Sequence, residues 1–155
     1  MSQPSSALFG ALAAFILGAC AHSHKLGAAE EIRSTADSFH QRIRWRDFRG
    51  AAELLIPERR EKFVHGLKIS GAERDLSISD YELEQERISA DGTLATVVSR
   101  VSWTRLPSVT EHSELVTSEL ILKDGAWLLS RQQGGPFGRE LGDELPRDRP
   151  SSATR

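Results

Sequence analysis

The sequence predicts an α+β fold in which helices come first and a four-stranded antiparallel sheet follows. Three observations carry this. Apolar residues recur at helical spacing over residues 28–67, the periodicity changes to two from Leu76 onward, and no helical pattern separates the later strands to supply parallel crossovers.

The first helix is expected over residues 28–46. Ile32, Ala36, Phe39 and Ile43 fall on one face. Glu30 and Glu31 sit in the first turn and Arg42, Arg44 and Arg46 near the end, which complements the helix dipole. Asp47 and Gly50 interrupt the pattern. Phe48, Ala51, Ala52 and Leu55 then define a second, short helix that stops before Pro57, because a residue preceding proline is pushed out of the α region. A third runs from Glu58 to about Leu67, with Phe63 and Leu67 on one side.

The clearest strand spans residues 94–105. Ala95, Val97, Val101 and Trp103 share one face, and Thr96, Arg100, Ser102 and Thr104 the other. The turn residues Ala90-Asp91-Gly92-Thr93 pair it with residues 77–89. In that earlier segment Ile78 and Ile88 share one parity while Tyr81 and Leu83 share the other, so a bulge near Asp80 is expected. Residues 115–122 and 126–131 form a second hairpin, with Gly125 at the φ > 0 position of a three-residue loop, Lys123-Asp124-Gly125.

Composition bounds the function classes. A net charge of −2 argues against generic nucleic-acid binding, which needs surplus basic groups to displace counterions. A hydrophobic fraction of 39% supports one packed domain, placed at residues 28–133. Gly, Pro, Ser and charged residues dominate residues 134–155, which reads as a disordered polar tail.

The N-terminus carries the most specific motif. Cys20, the single cysteine, follows Leu17-Gly18-Ala19 at the end of an apolar run of about 12 residues, short of the roughly 20 that a spanning helix needs. This resembles a bacterial lipoprotein signal: residues 1–19 as signal peptide, with Leu17, Gly18 and Ala19 preceding cleavage and Ala19 small enough for the peptidase cleft. The pattern departs from that family in having no Lys or Arg before Cys20. The resemblance implies that Cys20 carries acyl chains such as palmitate, anchoring residues 20–27 as a lipidated tether to a cell-envelope membrane. Ala21 in place of aspartate implies the outer membrane or periplasmic face if the source is Gram-negative. With Cys20 acylated, the mature chain has no thiol left for a disulfide, and stability falls to the core.

A second resemblance covers residues 28–133. Trp45-Arg46-Asp47-Phe48, Ala51-Ala52-Glu53-Leu54-Leu55 and Pro57-Glu58-Arg59-Arg60 with Phe63 resemble the opening of the nuclear-transport-factor-2-like superfamily. Leu122-Lys123-Asp124-Gly125-Ala126-Trp127-Leu128-Leu129 resembles its closing hairpin. The resemblance implies a cystatin-like cone in which a curved sheet wraps the long helix. That superfamily holds isomerases, dehydratases and cyclases as well as transport and oligomerising domains, so the fold does not select an activity.

Candidate acid–base residues are His40, Asp47, His65, Asp80 and Tyr81. His40 lies off the apolar stripe and reads as a surface residue. Asp47 reads as a turn residue bonding local amides. Asp80 and Tyr81 are adjacent, so only a bulge lets both face the same interior. His22 and His24 make an incomplete metal shell, His112 reads as an exposed loop residue, and neither a metal nor a cofactor is expected. Arg42, Arg44, Arg46, Arg49, Arg59 and Arg60 form a basic cluster that nearby glutamates can neutralise. Trp103 and Trp127 read as core, while Trp45 leaves the stripe and can cap the cone or form a contact site. Trp45, Asp80, Tyr81, Trp103 and Trp127 are therefore the candidate pocket or contact residues. The resulting expectation is a lipid-anchored, non-catalytic module that binds an envelope protein or a small apolar ligand. A pocket enzyme of isomerase, dehydratase or cyclase type and a structural component of an envelope complex are the alternatives.

Overall fold

The computed structural model describes the backbone of residues 16–142 and the side chains of residues 27–142. Nine elements follow one another in it: α1 (Ile16–Arg44), α2 (Phe48–Glu53), α3 (Pro57–Ile69), α4 (Ala72–Asp75), β1 (Leu76–Ile88), β2 (Leu94–Arg105), β3 (His112–Lys123), β4 (Ala126–Gln133) and α5 (Gly138–Leu141). The strands form one antiparallel meander, β1-β2-β3-β4, as the change of periodicity predicted.

Helix α1 is already formed at Ile16, the first described residue, and not only from residue 28, so the segment expected to be a tether is helical. Ala19, Ala21, Ala28, Ala29 and Leu26 are strong helix formers, and Gly18 and Gly27 cost only about 1 kcal/mol each against them. Residues 1–15 lie outside the described residues, as do the side chains of Leu17, Ala19, Cys20, His22 and His24.

The helix ends at Arg44, earlier than expected, because Arg46 turns into the left-handed region at φ 63°. Its guanidinium compensates for that conformation. Arg46 donates to the carbonyl oxygens of Leu76 (3.2 Å), Arg74 (3.3 Å) and Glu73, tying the end of α1 to α4, a helical turn that the sequence pattern did not reveal. Asp47 caps α2 by accepting from the Gly50 amide (2.9 Å), the local role expected of it. Beyond α2, the Leu54 carbonyl and Ile56 amide bond Leu129, which lends the outer edge of β4 a short parallel bridge.

β1 contains two register shifts, at Ile78/Asp80 and at Leu83/Gln85. The single bulge expected near Asp80 accounts for only half of the parity conflict. Ile78 lies inward before the first shift, Tyr81 and Leu83 after it, and Ile88 returns inward only because of the second. The β3–β4 loop is also tighter than predicted. Lys123 pairs with Ala126, leaving Asp124 (φ 53°) and Gly125 (φ 80°) as a two-residue turn with both φ angles positive, the type that matches strand twist.

The core divides in two. Phe39, Ile43, Phe48, Leu55, Phe63, Leu67, Val101, Trp103, Val116, Leu129, Phe137 and Leu141 belong to a larger cluster. Ile32, Ala36, Ala95, Val97, Leu120 and Trp127 form a smaller one. Between them the inner sheet face carries buried Ser99, Ser118 and Gln132 on three successive strands, with Gln132 Nε2 donating to Ser118 Oγ (3.0 Å).

The packed unit does not stop at Gln133. Phe137 and Leu141 are buried and α5 docks between α3 and β4, nine residues into the segment expected to be a disordered tail. Composition alone left out what these two apolar side chains meet. Phe137 packs its ring against two other rings, and such contacts add about 0.5–1.5 kcal/mol each beyond area burial. Residues 143–155 lie outside the described residues.

Trp127 anchors the smaller cluster, and its carbonyl accepts from Thr35 Oγ1 on α1 (3.4 Å). Truncation of a packed tryptophan typically costs about 3–5 kcal/mol. Trp127→Ala should lower the urea midpoint sharply with an unchanged m-value, and a midpoint equal to that of the parent would place Trp127 outside the core.

Candidate functional site

Where α1 crosses β1, the first bulge aims two side chains at the helix. Tyr81 faces inward and stacks on His40, ring centroids 5.2 Å apart at 27°. Its hydroxyl donates to Asp37 Oδ1 at 2.9 Å. Asp80, beside it, is exposed and lies 3.8 Å from the Arg44 guanidinium. The bulge thus brings both residues to α1, Tyr81 from within and Asp80 along the rim.

His40 is not the surface residue that its position off the stripe implied. It is only 3% exposed. Residues 36, 39, 40 and 43 all fall within the arc that a curled sheet covers, and the ring is held edge-on to Phe39 at 5.6 Å. Burial pushes the imidazole down to about 4, against the opposing pull of the Asp37 carboxylate, and Nε2 has no hydrogen-bond partner. The Tyr81 phenol is pushed up to about 12, first by burial and then by its bond to Asp37. At neutral pH this is an uncharged imidazole beside a protonated phenol. Tyr81 gives its one proton to Asp37, and His40 is sealed from solvent, so neither group is free to meet a substrate.

The other sequence candidates lie apart. Asp47 is held below the usual carboxylate range by the Gly50 amide, with Arg42 at 2.8 Å adding to the effect. Trp103 is buried and stacks on His112 at 5.5 Å and 20°, while His112 opens β3 as an exposed strand residue and not as part of the loop. Trp45 is 77% exposed and joins neither cluster. Of the basic residues, Arg42 and Arg44 pair with Asp47 and Asp80, and Arg46, Arg59 and Arg60 bond backbone carbonyls. They hold the fold together more than they present charge. Among the described residues, no three metal-ligating side chains converge, and no helix is long and apolar enough to cross a membrane.

A groove of about 490 Å³ opens elsewhere, between α2 and α3. Ala52 and Val64 supply apolar surface, Arg49, Arg60 and Lys68 positive charge, and Glu53 and Glu61 negative charge, with His65 alongside. Of these only His65 was singled out in the sequence as an acid–base candidate. No pattern in the sequence marks the groove, which depends on how the two helices cross.

No protein-family profile and no curated protein matches the chain. Solved structures do. An NTF2-like protein with a cystatin-like fold from Novosphingobium aromaticivorans aligns with a TM-score of 0.56 at 16% identity, covering 77% of this chain and 88% of that one. A SEC-C motif containing protein from Rhodopseudomonas palustris aligns with a TM-score of 0.51 at 21% identity, covering 63% and 73%. The fold is cystatin-like. These likenesses establish the architecture that the sequence motifs implied and say nothing of chemistry.

The depressed His40 makes stability depend on pH with a definite sign. An unfolded chain protonates this ring below its ordinary value of 6.5, whereas the folded chain resists until about 4. Stability is therefore complete above pH 6.5 and is lost as pH falls from there toward 4, by on the order of 3 kcal/mol at about 1.4 kcal/mol per unit. Urea midpoints at pH 7.5 and 4.5 should differ markedly in the parent and much less in His40→Leu. An equal difference in both would assign the acid sensitivity to other groups.

Proposed function

We propose that this chain is a lipid-anchored cell-envelope protein whose cystatin-like domain binds another protein and performs no chemistry of its own. The observation that carries the reading is the filling of the cone. The space between α1, α3 and the sheet is occupied by the chain's own Phe39, Phe63, Leu129, Phe137 and Leu141, all buried. A small apolar ligand would have to displace part of this packing. An enzyme of isomerase or dehydratase type would need an accessible base, and the buried His40 with its low basicity does not supply one.

The α2–α3 groove supports the choice of a protein partner. Its surface is largely apolar, from Ala52, Val64 and the stems of the long cations, and is ringed by charged groups of both signs, an arrangement that suits an apolar side chain presented on a polypeptide segment with charged neighbours. The lipid anchor rests on Leu17-Gly18-Ala19-Cys20. A structural component of an envelope complex would use the same surface and differs only in the permanence of the contact.

Two measurements test this reading. Cys20→Ser should move the protein from the membrane fraction to the soluble envelope fraction, and unchanged membrane partition, or a mature mass without acyl chains, overturns the anchor. A photo-crosslinking amino acid at exposed His65 should yield a discrete protein adduct in cells, while the same probe at Glu82, on the outer side of β1, should not. Absence of an adduct from His65 overturns the groove as the contact surface.

A further inference from the structure

We propose that residues 134–142 are a displaceable plug, and that the chamber beneath it accepts an aromatic side chain from a protein partner in place of Phe137. This rests on the reading of the domain as a partner-binding module and adds a second point of contact, together with its regulation.

The plug is built unlike the rest of the core. Strand pairing ends at Thr117↔Gln133, so nothing beyond Gln133 belongs to the sheet. The chain then turns through Gly134 (φ 79°) and Gly135 (φ 67°), conformations that favour glycine, seated so closely on β3 that a Cβ at position 135 would lie 2.5 Å from Val116 Cγ2. Phe137 enters the core immediately afterwards. Its ring meets Phe63 at 5.8 Å and 69° and Phe39 at 6.5 Å and 80°, both edge-on, and Leu141 is buried one turn later.

The polar attachments are sparse by comparison. Gly135 N–H donates to exposed Glu114 Oε2 at 3.1 Å, and Arg59 donates to the Leu141 carbonyl at 3.4 Å. Glu140 works against closure. Its side chain is buried, and while Oε1 accepts from Ser70 Oγ at 2.9 Å, Oε2 has no partner. A carboxylate in that position is disfavoured relative to water, so the segment carries its own bias toward release. It fits at all because Gly66 on α3 leaves a notch, where an added Cβ would lie 2.9 Å from Glu140 Cγ.

A short, glycine-bounded segment held by two apolar side chains can leave without breaking a strand. Its departure would expose the Phe39 and Phe63 rings, already set to receive a third ring edge-on. The occupant that fits is a helical turn with an aromatic residue and an aliphatic one four positions on, copying Phe137 and Leu141.

The probe is a fluorescein-labelled peptide copying residues 134–142, read by anisotropy on the full chain carrying Cys20→Ser, with hydrogen exchange as the second readout. Gly66→Ala is the opening variant. It favours helix α3 intrinsically but closes the notch, so exchange of the Leu141 and Gly142 amides should rise at least tenfold, with β2 and β3 unchanged, and the peptide should bind at least tenfold tighter than to the parent. Glu140→Gln, which replaces the acid with its neutral isostere, should do the opposite in both readouts. A peptide with alanine for phenylalanine should not bind. Leu141 and Gly142 exchanging only with global unfolding in the parent and in Glu140→Gln, or an opened Gly66→Ala that fails to bind the peptide, overturns the proposal. Should Gly66→Ala unfold α3, the parent and Glu140→Gln comparison decides. A missing His65 crosslink with intact peptide binding would overturn the groove and leave the plug standing.

Discussion

Everything in this fold depends on the inner face of one four-stranded sheet finding cover, and α1 supplies most of it. A sheet with one apolar face cannot leave that face in water, and a single helix is too narrow to shield four flat strands. The sheet therefore curls. Two register shifts in β1 let it wrap α1 while keeping Ile78, Tyr81, Leu83 and Ile88 inward, and the α2–α3 segment closes the opposite side by bridging to β4 at Leu129. α5 fills the place that neither reaches. No disulfide shares this burden, since the chain has a single cysteine.

This dependence explains the behaviour of His40. The residue sits between Ala36 and Ile43 on the face that the curled sheet engulfs, so it is buried by the curvature of β1 and not by its own hydrophobicity. Burial is tolerable only for the neutral ring, and stacking on Tyr81 gives that ring a neighbour that asks for no charge. Asp37 and Arg44 then hold the rim through Tyr81 and Asp80. The cluster looks like an acid–base site by residue type, yet the Tyr81 proton is committed to Asp37, holding strand to helix, and the His40 ring is buried as a packing group.

Period and turn chemistry made the elements legible in the sequence. The inward set Ala95, Val97, Val101 and Trp103 and the outward set opposite follow from alternation alone, and the helical stripe Ile32, Ala36, Phe39 and Ile43 is the buried one. What alternation could not give was curvature. The second bulge, the burial of His40 and the four-residue helices α4 and α5 all arise from tertiary closure, and none leaves a periodic trace. Phe137 and Leu141 were visible as the apolar groups of a glycine-rich segment, but their value depended on the rings of Phe39 and Phe63, which only the folded cone brings within reach. The α2–α3 groove was equally hidden, because it is set by the crossing of two helices and not by any residue within them.

The continuity of α1 bears on how such a domain would meet a partner from a membrane. Cys20 lies within a helix that runs on to Arg44, and at 1.5 Å per residue the two are about 36 Å apart. Under the proposed lipid anchor, this helix is a stalk as well as a core element, so orientation of the domain follows from the helix axis and not from a slack tether. The exposed Trp45, just past the end of α1, would then face away from the bilayer, at the end where Arg46 ties α1 to α4 and where the Leu106 amide bonds the Asp75 carbonyl. A tryptophan in that position is too far from the headgroups to serve as an interfacial anchor. Under the proposed partner-binding reading, its exposure suits a contact with another protein, and Trp45 and the groove lined by Arg49 and His65 both lie on the segments that directly follow the stalk.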